Sequence, residues 1–252
     1  MRWCARGFEG EVTLEFKILG TLRVYTASNE VRLTARMPRL LLAILLSGAN
    51  EPVSVDVLIH ALWDGRAVGN AANKLHLHAH RVRRVLDDRS RLRYEHGGYL
   101  LRVHPGELDR DHFEELLDRA AANPVTALRD LRAANALWRG RPFGELGDCQ
   151  ALHSEIHRLT ERHLAGLEDL CAAEINQGAH AAVVSELTEM ARVHPFRERV
   201  HALLMTALHR SGRQTEALAV YQRVRQTLVE ELGLEPGPLL RRAHAAVLAS
   251  VP

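Results

Sequence analysis

The segment Asn73-Lys74-Leu75-His76-Leu77-His78-Ala79-His80-Arg81-Val82-Arg83-Arg84-Val85-Leu86 gathers the side chains best suited to chemistry with a charged partner. Wound as a helix over about 70–86, it places Leu75, Ala79, Val82 and Leu86 on one side, where they can pack on other elements. Asn73, Leu77, His80, Arg81 and Arg84 fall on the opposite side, with Lys74 and His76 completing the candidate contact set. Arginine can bond a guanine edge or a phosphate, asparagine pairs with adenine, and an exposed leucine meets a thymine methyl. A buried stripe backed by such a face suits a helix lying in the major groove of duplex DNA. The plain alternative is a solvated charged face, which accounts for most arginine-rich helices.

Between Lys74 and Arg93 seven lysines and arginines stand against two acids, Asp87 and Asp88. Arg89, Arg91 and Arg93 lead into a hairpin signal at His96-Gly97-Gly98, so helix end and hairpin should form one basic strip seated on phosphates. Arg91, Arg93, Gly97 and Gly98 are therefore the expected wing contacts, and Arg36 and Arg39, ahead of an apolar helix, the further backbone contacts. His76 and His80 could share a metal ion on one helix face, but His78 points elsewhere and no cysteine or acid stands at ligand spacing. Surface or groove-lining histidines are the better reading, and neither a metal nor a cofactor is expected. The chain also lacks a P-loop, a G-x-S-x-G nucleophile elbow and a G-x-G-x-x-G turn, so no enzyme is indicated.

The elements around this helix give it its meaning. Alternating apolar residues in Val12–Leu19, Thr21–Tyr25 and Glu30–Leu33 suit a small antiparallel sheet. Pro38 and the run Leu40–Leu46 predict a buried helix, and Ser54 predicts a cap for a second helix over Val55–Trp63. Leu92–Glu95 and Tyr99–Val103 flank the hairpin turn. Sheet, three helices and a terminal hairpin in that order describe a winged helix, and position just before the hairpin lifts the third helix above the solvated-face alternative.

His104-Pro105-Gly106 marks a seam, giving an expected DNA-binding domain at 1–104 and a helical domain at 107–252. In the latter, Gly178 and Gly212 lie one tetratricopeptide period apart. Each is followed at the fifth position by Val183 or Ala217 and at the ninth by Leu187 or Tyr221, and Pro195 closes the first unit. Asp111–Ala122, Thr126–Trp138 and Ala151–Asn176 supply further helices to stack against. The expected fold is mainly α with small β, a winged helix-turn-helix followed by tetratricopeptide-like repeats.

Charge divides along the same seam. Residues 1–106 carry 16 Lys and Arg against 10 Asp and Glu, and residues 107–252 carry 17 against 21. A basic half joined to an acidic half implies two partners of different character, nucleic acid for the first. Three scattered cysteines, Cys4, Cys149 and Cys171, do not form a disulfide framework. Met1–Gly10 has no apolar stretch of signal-peptide length, and Leu40–Leu46 is too short to cross a bilayer. A cytoplasmic protein is expected.

Several long motifs in order resemble the Streptomyces antibiotic regulatory protein (SARP) family, from about Leu14 to Leu248. They are Arg39 with the following Leu/Ile run, Val53–Trp63, Arg81-Val82-Arg83-Arg84-Val85-Leu86 and Gly98-Tyr99-Leu100-Leu101-Arg102-Val103. Ala136-Leu137-Trp138-Arg139-Gly140, Ser211–Leu218 and Glu231–Gly237 continue the match. The resemblance implies an OmpR-like winged helix joined to a bacterial transcriptional activation domain. It further implies an activator that binds direct repeats of double-stranded DNA upstream of secondary-metabolite genes, as a homodimer on DNA, and recruits RNA polymerase holoenzyme. The chain departs from the family in carrying Met37-Pro38 before Arg39, where Lys-Gln is usual, and in its histidines at 76, 78 and 80. A repeat-type adaptor whose winged helix meets protein instead of DNA is the alternative left open.

Overall fold

The computed structural model describes residues 14–26, 29–66 and 68–249. Val12 and Thr13 of the expected first strand, Cys4, and the Met1–Gly10 segment lie outside the described residues. The first elements are strands β1 (Leu14–Lys17), β2 (Arg23–Thr26) and β3 (Asn29–Glu30), an antiparallel sheet in that order. Leu14 and Phe16 are wholly buried on β1 while Glu15 and Lys17 alternate outward, the period-two pattern of a half-buried strand. Helix α1 (Arg36–Ser47) follows, with Pro38 in its first turn and every residue from Leu40 to Leu46 buried.

Helix α2 (Val55–Trp63) starts where Ser54 Oγ accepts from the Val57 amide at 3.2 Å, the cap read from the sequence. The pair Val53–Ser54 also forms a strand, β4, which the sequence reading missed. It pairs with β6 (Gly98–Leu101), which in turn pairs with β5 (Leu92–Glu95), so the hairpin is two strands of a three-stranded sheet. Helix α3 covers Ala71–Arg83, shorter than the expected 70–86. Asn70 sits in the left-handed region at φ 58°, outside helical geometry. At the other end the Arg84 and Val85 amides reach back only three residues, and Asp88 takes the Ser90 amide and hydroxyl for itself.

The remaining helices are α4 (Asp109–Ala122), α5 (Ala127–Leu137), α6 (His153–Asn176), α7 (His180–Val193), α8 (Glu198–Arg210), α9 (Gln214–Leu232) and α10 (Pro238–Leu248). Two compact units emerge. One joins the described residues up to Asp118 with Ala133–Arg162, the other Arg119–Arg132 with the described residues from His163 onward. The 1–104 and 107–252 partition divides the chain by sequence segment. Compactness divides it instead within α4, α5 and α6.

In the second unit the 34-residue period takes physical form. Gly178 turns α6 into α7 at φ 89° and Gly212 turns α8 into α9 at φ 77°, backbone positions that favour glycine. Val183, Leu187, Ala217 and Tyr221 are all buried at matching places on α7 and α9. Pro195 lies in the turn between the two pairs, its carbonyl bonded to His201 Nε2 at 3.0 Å. Helix α10 packs on α8 and α9, where Gln214 donates to the Val247 carbonyl at 2.8 Å. Among the described residues no helix is long and apolar enough to cross a membrane.

Candidate nucleic-acid interface

The first unit holds α3 by its apolar stripe. Leu75, Ala79 and Val82 are at most 1% exposed, and Leu86, just beyond the helix, is buried too. Each leucine or valine so placed contributes about 1.5–3 kcal/mol. Their packing on α1 and α2 fixes the roll of the helix and hence which residues face out. Asn73, Lys74, Leu77, His80, Arg81 and Arg84 are all exposed, Leu77 by half. Among the described residues Lys74, Arg81 and Arg84 have no carboxylate partner.

The three histidines diverge. His78 lies at the side of Trp63 on α2, ring centroids 6.1 Å apart. Its buried Nδ1 has no hydrogen-bond partner among the described residues. Burial, and then the charge of Arg81, holds this imidazole below its usual pKa. His80 is exposed on the outer face, and His76 turns toward the wing. Its Nδ1 meets the hydroxyl of Tyr99, and its ring stands edge-on to Tyr94 and Tyr99 at 5.9 and 6.0 Å. Among the described residues no group of three potential ligands is placed to hold a metal.

The wing follows from its turn. His96 and Gly97 both have positive φ, 50° and 75°, which matches the twist of a two-residue hairpin. That turn sets Tyr94 opposite Tyr99, rings 5.4 Å apart, with Tyr94 54% exposed. Arg83, half-buried, donates from Nε to the Leu92 carbonyl at 3.0 Å and lies over the Tyr99 ring. It ties helix to wing. Gly97 is exposed at the hairpin tip, whereas Gly98 is buried against Val53, whose carbonyl any Cβ there would strike. Gly98 therefore serves the sheet and is corrected out of the contact set.

Two arginines are corrected as well. Arg91 is 8% exposed, and its guanidinium meets Glu107 at 2.7 and 2.8 Å and Asp87 at 2.6 and 2.8 Å. Burial opposes the charge, but these two carboxylates outweigh it and raise the pKa further. Such a clamp leaves nothing to offer a phosphate. Arg39 pairs with Glu145 at 2.6 Å and reaches the Leu22 carbonyl at 3.4 Å, so it too is engaged within the unit. Arg93 stays 45% exposed although it bonds the Ser90 carbonyl at 3.0 Å and stands 3.7 Å from the Glu95 carboxylate, and Arg36 is exposed. The sequence reading had no place for Tyr94 and Tyr99; the hairpin register, countable from the turn, was the signal that pairs them.

A winged helix followed by tetratricopeptide-like helices defines a class of transcriptional regulator. A family model described as a bacterial transcriptional activator domain matches residues 108–248. The chain is 36% identical over 250 residues to the transcriptional regulator RedD of Streptomyces coelicolor, covering 95% of this chain and 71% of RedD. It is 37% identical over 245 residues to the regulatory protein AfsR of the same organism, covering 95% of this chain but 24% of AfsR. A solved structure of Mycobacterium tuberculosis EmbR in complex with a low-affinity phosphopeptide superposes with a TM-score of 0.86 at 32% identity, over 95% of this chain and 66% of that one. The chain belongs to the SARP family of transcriptional regulators.

Proposed function

We propose that the chain is a sequence-specific DNA-binding activator of a secondary-metabolite, antibiotic-type gene cluster, acting in the cytoplasm at the nucleoid. The observation that carries this reading is the outer face of α3: Asn73, Lys74, Leu77, His80, Arg81 and Arg84 are exposed while the inner stripe is buried. A cation with no carboxylate of its own is free to meet phosphate or a guanine edge. Arg36, Arg93 and Gly97 extend the same surface toward the backbone.

Two copies set head-to-tail on direct repeats about one helical turn apart would bring both α3 helices to one face of the duplex. The second unit would then recruit RNA polymerase holoenzyme. Exposed Val229, Leu232 and Leu234, at 42%, 48% and 59%, lie near the end of α9 and support a protein contact there.

Footprinting the purified protein across its genomic neighbourhood tests the reading. The expected result is protection of tandem sites, with Arg81→Ala or Arg84→Ala weakening gel-shift affinity at fixed salt by about 1–3 kcal/mol where the side chain reads a base. Absence of protection even at low salt would refute DNA binding and leave the repeat-adaptor reading in its place.

A further inference from the structure

The DNA-binding reading treats His76 as one basic contact among several; the structure gives it a narrower role. Its Nδ1 is occupied by the hydroxyl of Tyr99, a residue 1% exposed whose hydroxyl has no other hydrogen-bond partner among the described residues. A buried hydroxyl must spend its hydrogen on an acceptor, and the imidazole nitrogen is the acceptor at hand. Burial first, and then Tyr94, raise the Tyr99 pKa against the lowering effect of Arg83, which keeps the phenol protonated and able to donate.

A neutral imidazole that accepts at Nδ1 carries its own hydrogen at Nε2. With Nδ1 turned to the buried hydroxyl, Nε2 lies on the far side of the ring and the residue as a whole is exposed. Tyr94 and Tyr99, edge-on at 5.9 and 6.0 Å, hold the ring in that orientation. Two helix turns further on, Arg83 anchors the same side of α3 to the wing.

We infer that Tyr99 is a positioning residue that locks His76 as a one-way reader, presenting only an Nε2–H donor to the major groove. Resting on the DNA-binding reading, this assigns His76 to an acceptor on a base edge, guanine N7 or O6 above all, and against the amino group of cytosine at the same place. Neither residue type alone would specify this. A free histidine can present either nitrogen and so accept or donate.

The test has two arms on the full chain. Long-range proton–nitrogen NMR of the wild type without DNA should show His76 protonated at Nε2 and bare at Nδ1, and Tyr99→Phe should turn this into a mixture. Selection from a randomised 30-base-pair duplex library should then show one position where guanine is preferred. In Tyr99→Phe that preference should fall about 5-fold, the worth of roughly one hydrogen bond, with other positions unchanged. Nδ1–H in the wild type, or a Tyr99→Phe logo identical to the wild type, overturns the assignment while leaving DNA binding intact. No enriched sequence with the wild type overturns the DNA-binding reading itself.

Discussion

Replacing Arg91 with alanine should destabilise the first unit by about 3–5 kcal/mol, the cost of breaking a buried ion pair from one side. The magnitude follows from what stays behind. Glu107 is 5% exposed and accepts two bonds from Arg91, at 2.7 and 2.8 Å. Without them its carboxylate keeps the His104 amide, at 2.7 Å. Set against the about 5–15 kcal/mol that holds a typical domain together, the loss is severe. With a urea slope of about 1–3 kcal/mol/M, the unfolding midpoint should drop by on the order of 2 M. The double replacement Arg91→Met with Glu107→Leu should recover most of it, since the buried Glu107 charge is then gone and Asp87, the more exposed of the two carboxylates, can turn to water. A phosphate contact would behave otherwise, lowering the salt slope of DNA binding by about 0.9. A midpoint shift below about 0.5 M together with such a fall in slope would refute the clamp and return Arg91 to the DNA surface.

Other consequences follow from single residues. Arg81→Ala and Arg84→Ala should leave the unfolding free energy within about 0.5 kcal/mol of wild type, because the side chains are exposed and have no carboxylate partner among the described residues; larger losses would mean they support the fold. Burial pushes the His163 imidazole from 6.5 down to about 4. The unfolded chain then binds the extra proton first as pH falls, so stability should decline between pH 6.5 and 4 by roughly 3 kcal/mol. His163→Gln should flatten that limb in denaturation measured pH by pH, and an unchanged limb would assign it elsewhere. Gly212→Ala places a side chain at φ 77° with open space around it, so calorimetry should find a cost of about 1–2 kcal/mol, purely conformational. Gly98→Ala should cost more, because the Val53 backbone stands in the way.

The sequence carried the elements and the period of the repeats, because those follow from local rules. Ser54 before a helix, Pro38 in a first turn, and apolar residues at Leu75, Ala79 and Val82 each decide their outcome from near neighbours. The glycines at 178 and 212 announced the turns between paired helices for the same reason. Where partners are distant, the reading failed. Nothing near Arg91 in the chain says that Glu107 will close over it, and nothing near Arg39 points to Glu145. Charge and position along the chain put both on the DNA surface. Strand β4 was hidden by its length of two residues, too short for any alternation to register. The bond between His76 and Tyr99 spans 23 residues and depends on the hairpin folding back beside α3.

Strand β4 has a mechanical consequence. The residues that pair with β6 are also those that launch α2, and the Val55 amide bonds the Gly97 carbonyl at 3.1 Å at the hairpin tip. Arg83 and His76 stitch the same hairpin to α3. The wing is therefore braced to both helices rather than hung from a hinge. On the DNA-binding reading, a surface so braced would arrive at the groove already set, so that little ordering accompanies docking and the shape of the duplex does most of the adapting.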